Sequence, residues 1–229
     1  FAISDVVSQG LTATLDENQL ALQDLAEDPD VQGMIATQAQ DPLDQLRRAR
    51  PSLTGLFLLD PEKSVVTIAG GIDPTSVIGQ LSDVVDTVLN GGEPAISNRL
   101  IIQDADVEVI ALVVPVLPDP GQTVEGKSVG AVGAFLNVAR LQQSFLTNNS
   151  TTGDTTIAVV AGNGQVIVDR GNPEVTANTL TTDLVRGPVM EAVAGQRGRE
   201  VYRDANDEER IAVFAPVPHP SVAWAVVVT

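Results

Sequence analysis

The chain has no cysteine, one histidine and one tryptophan in 229 residues. The first absence removes thiol catalysis, disulfides and thiolate metal sites together. Zinc is left without its usual ligands. Histidine chemistry has a single candidate, His219, set between Pro218 and Pro220. A nucleophilic serine would have to meet it, and no G-x-S-x-G pattern supplies one, so His219 reads as a loop residue. Basic residues are also scarce, 13 against 30 acids, for a formal net charge of -17. That balance opposes phosphate backbones and anionic lipid surfaces, so nucleic acid is not an expected partner; its plain use is solubility. Long apolar runs are missing too. The longest, Val109–Leu117, has nine residues and contains Pro115, whereas a bilayer span needs about 20.

What the chain does contain is itself, twice. LFLLDPEKSVVTIAG at 56–70 and IAVVAGNGQVIVDRG at 157–171 are two versions of one strand, turn, strand unit, 101 positions apart. The same offset links IALVVPV at 110–116 to IAVFAPV at 211–217, each shortly after an acidic turn, QDADVE in one copy and RDANDEE in the other. A period near 100 residues is too long for a solenoid and long enough for each copy to bury a core, which predicts two tandem domains. The hydrophobic content of 43% supports both.

Ahead of the first copy, Ile3, Val6, Val7, Leu11, Leu15, Leu22 and Leu25 fall on one stripe of a long helix. Asp28, Pro29 and Asp30 interrupt it, helical patterns resume over 31–39 and 42–50, and Pro51 ends them. The order predicted for copy one is strand 53–59, strand 64–69, helix 77–89, then strands 95–102, 108–117 and 129–138. A short helix over 139–146 leaves it, and the polar tract TNNSTTGDTT is the expected boundary. Copy two repeats the order, with strands 156–160 and 165–169 around a tight Asn163–Gly164 turn, helix 182–194, and strands 199–202, 210–217 and 222–228. The domain limits are therefore 1–52 for the helical segment, 53–148 and 149–229.

Acidic clusters are the remaining metal candidates: Asp104, Asp106 and Glu108, then Asp204, Asp207, Glu208 and Glu209. Neither has the central glycine and terminal glutamate of a calcium loop, and both read as solvated hairpin turns. Gly162–Gly164 is followed by a strand rather than a helix, which makes it a hairpin and not a phosphate cradle. Asn148 and Asn149 begin N-x-S/T patterns that mark an exposed linker. Trp224 alternates with Val222 and Val226 and is expected in the second core. No cofactor is expected.

The motifs LFLLDPEKSVV, VGAVGAFLNVARLQQSF, AVVAGNGQVIVDR and the closing APVPHPSVAWAVVV, in that order behind a long helix, resemble the double Cache family of extracellular sensors. The resemblance spans nearly the whole chain. It implies an α+β fold: a long N-terminal helix followed by two PAS-like modules, each an antiparallel sheet with helices on one face. It further implies a non-enzymatic ectodomain of a kinase, chemoreceptor or cyclase, extracellular or periplasmic, flanked by transmembrane helices and able to pair through its first helix. Phe1, lying inside an apolar pattern, and Thr229, directly after AWAVVV, fit an excised domain.

In that family the membrane-distal module, here the first copy, holds the ligand. Its amino-acid-binding branch uses an aromatic run, a Tyr and Asp on the third strand and an Asp on the fifth. This chain has Leu100, Ile102 and Asn137 near those places. The expected wall is Asn98, Leu100, Ile102 and Asn137, with Arg99 on the other strand face unless a bulge intervenes. The missing carboxylate argues for a ligand that is not an amino acid. The rivals are a structural or dimerising ectodomain without a ligand and, lowest, a hydrolase.

Overall fold

The computed structural model describes residues 2–118, 128–147, 155–169, 175–176, 179–180, 184–204 and 207–229. Most of the expected boundary tract, with Asn148 and Asn149, and most of the loop after the fourth strand lie outside the described residues.

Helix α1 runs Ala2–Ala26, and Val7, Leu11, Leu15, Leu22 and Leu25 of the apolar stripe are buried, while Val6 is exposed. Asp28 starts α2, Pro29–Gln32, by accepting the Asp30 N–H at 2.9 Å, and Pro29 takes the first helical position, where its missing donor costs nothing. The next interruption precedes the one expected at Pro42. Met34 takes a left-handed φ of 53°, and α3, Ala36–Ala49, then carries Pro42 inside it.

Two compact units follow from the packing, residues 17–137 and residues 1–16 with 138–229. The first holds strands β1 (Leu53–Leu59), β2 (Val65–Gly70), β3 (Ala95–Ile102), β4 (Val107–Val116) and β5 (Gly130–Asn137), antiparallel in the order β2-β1-β5-β4-β3, with helix α4 (Ser82–Gly91). The second starts with helix α5 (Val138–Thr147), strands β6 (Ile157–Ala161) and β7 (Val166–Asp169), and a two-stranded ribbon, β8 (Val175–Thr176) with β9 (Thr179–Leu180). It closes with a π-helical turn (Val185–Val189), α6 (Met190–Val193), β10 (Gly198–Arg203), β11 (Glu209–Pro216) and β12 (Trp224–Val228). Its five-stranded sheet has the order β7-β6-β12-β11-β10, which is the first sheet's order strand for strand.

The duplication extends to irregularities. Leu59 pairs with Val65 after a register shift at Leu58, and 101 positions on Val160 pairs with Val166 after a shift at Val159. Lys63 and Gly164, also 101 apart, both have positive φ in the following turn, and Asp106 and Asp207 do so in the acidic turns. Asn163 does not; Gly164 alone supplies the left-handed residue. The fifth strands are out of step, since Pro115 opposite Ala131 becomes Pro216 opposite Ala225, so the fourth-to-fifth connection is seven residues longer in the first copy.

The helix expected over 77–89 starts later than its apolar pattern. Asp73 caps a 3-10 turn, Pro74–Ser76, by accepting from Thr75 at 2.9 Å, and α4 begins only at Ser82. In the second unit Pro188 has no N–H for the residue four back, and the wider π turn absorbs it before α6.

Helix α4 covers one face of the first sheet, where Val77, Leu81, Val85 and Val88 join Phe57, Leu59, Val109, Ala111 and Phe135 in one apolar cluster. Lys63 moors it. Its Nζ lies 2.7 Å from Asp86 Oδ2 and 3.0 Å from Ser82 Oγ, and the ammonium holds the Asp86 carboxyl below the usual carboxylate range. The opposite face belongs to α3 of the N-terminal segment, whose Gln40 accepts the Thr67 hydroxyl at 2.5 Å and donates to the Ile68 carbonyl at 3.1 Å.

In the second unit Leu184, Val189 and Ala192 pack over Val160, Phe214 and Val227. Trp224, Val226 and Val228 alternate onto the other face and are buried. Here α1 is tied down, the Ser8 hydroxyl donating to the Pro216 carbonyl and Asp16 Oδ1 lying 3.3 Å from His219 Nε2. His219 is buried and its Nδ1 accepts the Ser221 N–H at 3.2 Å, so the neutral ring carries its proton toward Asp16. Burial pushes the imidazole below its ordinary value, with Asp16 opposing in part. The unfolded chain therefore takes the proton first as pH falls below about 6.5. Stability is complete above that pH and declines below it. The urea midpoint is expected to drop between pH 7.5 and 5.5, and the drop should be smaller in His219→Gln; equal slopes would show that this ring does not set it.

Candidate ligand-binding sites

The wall expected from the sequence lies on β3, β4 and β5. Leu100 pairs with Val109, and Val109 pairs with Asn137, so these three form one row across the sheet on the α4 face. Two strand spacings put Asn137 roughly 10 Å from Leu100. Ile102 follows on the same face, and Leu100 and Ile102 are both buried in the α4 cluster. A bulge does occur, between Ile96 and Arg99, where Ser97 and Asn98 together face Ala111. Ser97 Oγ accepts the Ala111 N–H at 2.8 Å and donates to the Asn98 carbonyl at 2.7 Å, replacing the interrupted ladder. Because the bulge precedes Arg99, counting by twos from Leu100 keeps Asn98 on the α4 face. Arg99 lies on the other face, ion-paired with Glu108 and only 10% exposed. The structure thus groups Asn98, Leu100, Ile102 and Asn137 and separates Arg99 from them.

Sequence reasoning missed a second concavity, in the other unit. A hollow of about 500 Å³ is lined by Arg186 and Gly187 of the π turn, Glu200, Tyr202 and Arg203 of β10, and Glu209 of β11. Register relates part of the lining to the first sheet. Tyr202 opposite Arg210 occupies the place that Leu100 opposite Val109 has in the first sheet, and Glu200, two residues earlier, shares its face. The signal was present as alternation in REVYR, where Glu200 and Tyr202 stand two apart on a strand.

The acidic turns are hairpin turns in both copies. Arg203 joins Asp207 at 3.0 Å and Glu209 at 3.3 Å, while Arg210 joins Asp204 at 3.1 Å and Glu208 at 3.0 Å. The two carboxylates beside Arg210 raise its already high pKa, Asp204 contributing most. Among the described residues no group of three or more His, Asp or Glu side chains is placed to hold a metal, and no helix is long and apolar enough to cross a membrane.

Two like-ordered five-stranded antiparallel sheets behind a long leading helix make a tandem PAS-like fold. Solved structures share it. The ligand-binding domain of the Pseudomonas aeruginosa amino-acid chemoreceptor PctC, in complex with GABA, superposes with a TM-score of 0.71 at 15% identity, covering 99% of this chain and 96% of that one. The ligand-binding domain of the Campylobacter jejuni chemoreceptor Tlp3 with L-valine gives 0.67 at 16% identity over 100% and 90%. The extracellular domain of the putative histidine kinase rpHK1S-Z16 gives 0.75 at 13% identity over 99% and 90%. No family model matches the sequence, nor does any curated protein.

These structures overturn the expectation that an amino acid is not the ligand, because domains of this fold were solved holding GABA and L-valine. The sequence argument rested on Leu100, Ile102 and Asn137 standing near the places of the branch's Tyr and two Asp residues, the carboxylate lost at Asn137 above all. An asparagine also presents a carbonyl oxygen that accepts from an ammonium, so a lost carboxylate does not by itself exclude an amine.

Proposed function

We propose that the chain is the ligand-sensing ectodomain of a transmembrane receptor of the histidine-kinase or chemoreceptor type. Its first module takes a small molecule, with amino acids the leading class, between α4 and the wall of Asn98, Leu100, Ile102 and Asn137. The observation that carries this reading is the doubled sheet, strand order and bulge included, in a chain that superposes over nearly its full length on extracellular and ligand-binding domains. A sensing role rather than catalysis is supported by His219, which is enclosed and accepts the Ser221 N–H rather than being open to a substrate. An extracellular position and flanking membrane helices belong to the same proposal.

A thermal-shift screen of the proteinogenic amino acids and γ-aminobutyrate tests it. A ligand at 100 times its Kd adds about 2.7 kcal/mol. At least one compound should raise Tm by several degrees, and Asn137→Ala should reduce that shift. The absence of any stabilising compound, there and in a broader metabolite library, would favour a dimerising ectodomain. That rival draws on Val6 and Leu20, which are exposed on α1 about four helical turns apart.

A further inference from the structure

The hollow on the second module has the size of a small-molecule site, about 500 Å³. Its charges divide into two kinds. Arg203 and Glu209 satisfy each other across the β10–β11 pair at 3.3 Å. Arg186 and Glu200 line the same concavity, yet among the described residues neither is joined to an opposite charge. Two long side chains of opposite sign thus line one hollow without pairing.

The carboxylate also has a defined seat. Glu200 lies on the inward face of β10 beside Tyr202, and its carboxylate rests against Gly187 so closely that a Cβ there would overlap it. Gly187 has no left-handed φ to explain its choice. It belongs to the π turn that accommodates Pro188, which brings its backbone against β10. In the first module the positions equivalent to Glu200 and Tyr202 carry Asn98 and Leu100, so the inward carboxylate is a property of the second copy alone.

We propose that the second module binds a small zwitterion, its ammonium on Glu200 and its carboxylate on the Arg186 guanidinium. A planar guanidinium accepts a carboxylate in two parallel hydrogen bonds, and Glu200 offers oxygens only, which suits an ammonium donor. The site is separate from the one proposed for the first module and does not depend on it.

The test uses isothermal titration of the whole 229-residue chain with an unbranched series of increasing charge separation: glycine, β-alanine, 4-aminobutanoate, 5-aminopentanoate and 6-aminohexanoate. Pentylamine and pentanoate are the singly charged controls. One or two lengths should bind, at least tenfold more tightly than either control. Glu200→Gln and Arg186→Gln, both on exposed side chains, should each weaken that binding at least tenfold. Gly187→Ala should weaken it as well, by moving the carboxylate off its seat while leaving Tm nearly unchanged, since the displaced group is the end of a flexible side chain. Asn137→Ala should leave it intact. No binding by any member at 10 mM, or binding unchanged in Glu200→Gln and Arg186→Gln, overturns the proposal. Binding that falls with Asn137→Ala and not with Glu200→Gln also overturns it, while supporting the first-module site.

Discussion

Gly133→Val is expected to destabilise the first unit by about 3 kcal/mol, read as a fall in the urea midpoint by far-ultraviolet circular dichroism. Gly133 sits in β5 directly opposite Phe57 of β1, and the three atoms nearest to a Cβ built on it all belong to the Phe57 ring. That ring is fully buried and packs on Phe135 with centroids 5.0 Å apart. It therefore cannot swing aside without disturbing a second aromatic group and the α4 cluster above both. Cores packed to crystal-like density accept added methyl groups only by forcing rotamers and shifting backbone. Phe57→Leu combined with Gly133→Ala should recover part of the loss of Gly133→Ala alone, because the smaller side chain vacates the space the new Cβ needs. Strict additivity of the two changes would show that the ring is not the obstacle.

Trp224→Ala should cost the second unit about 3–5 kcal/mol, the usual range for emptying a buried large aromatic site. The indole is 2% exposed on β12, between the β11 and β6 partners, on the face away from the Val160 and Phe214 cluster. Val226 and Val228 continue that buried stripe, so the cavity would open beneath packed side chains that have little freedom to collapse into it. Trp224 is also the only tryptophan, and its fluorescence in the unaltered chain reports on this unit without labelling. Trp224→Phe, which keeps much of the ring, should lose less than half as much. A loss under 1 kcal/mol for the alanine variant would mean that the site refills.

Most of the architecture could be read from the residues because the strands announce themselves by apolar content and the chain repeats. Leu56–Gly70 and Ile157–Asp169 were legible as hairpins from their turns, and the α1 stripe from its spacing. What stayed hidden has local causes that a hydrophobic pattern does not encode. The bulge at Ser97 and Asn98 depends on one hydroxyl replacing a ladder bond. Pro42 inside α3 and Pro188 inside a π turn are tolerated by their surroundings against the ordinary rule. The β8–β9 ribbon is two residues a side, too short for any alternation to register. At the first-module wall, parity alone put Asn98, Leu100 and Ile102 together and Arg99 apart. The second-module hollow was not legible because its charged lining, Arg186 on the π turn and Glu200 on β10, comes from separate elements that no single hydrophobic pattern joins.

The shared bulge and the matching left-handed turn residues give the molecule an internal ruler. Position 63 reads as 164 and position 106 as 207, so each half serves as the other's template when side chains are exchanged. Lys63 stands where its twin keeps a glycine, a backbone posture awkward for any residue with a Cβ, and what it gains there is the mooring to Asp86. The same bend is a fastening in one half and only a bend in the other, and the two halves of a duplicated chain can part company by such single exchanges without either losing its shape.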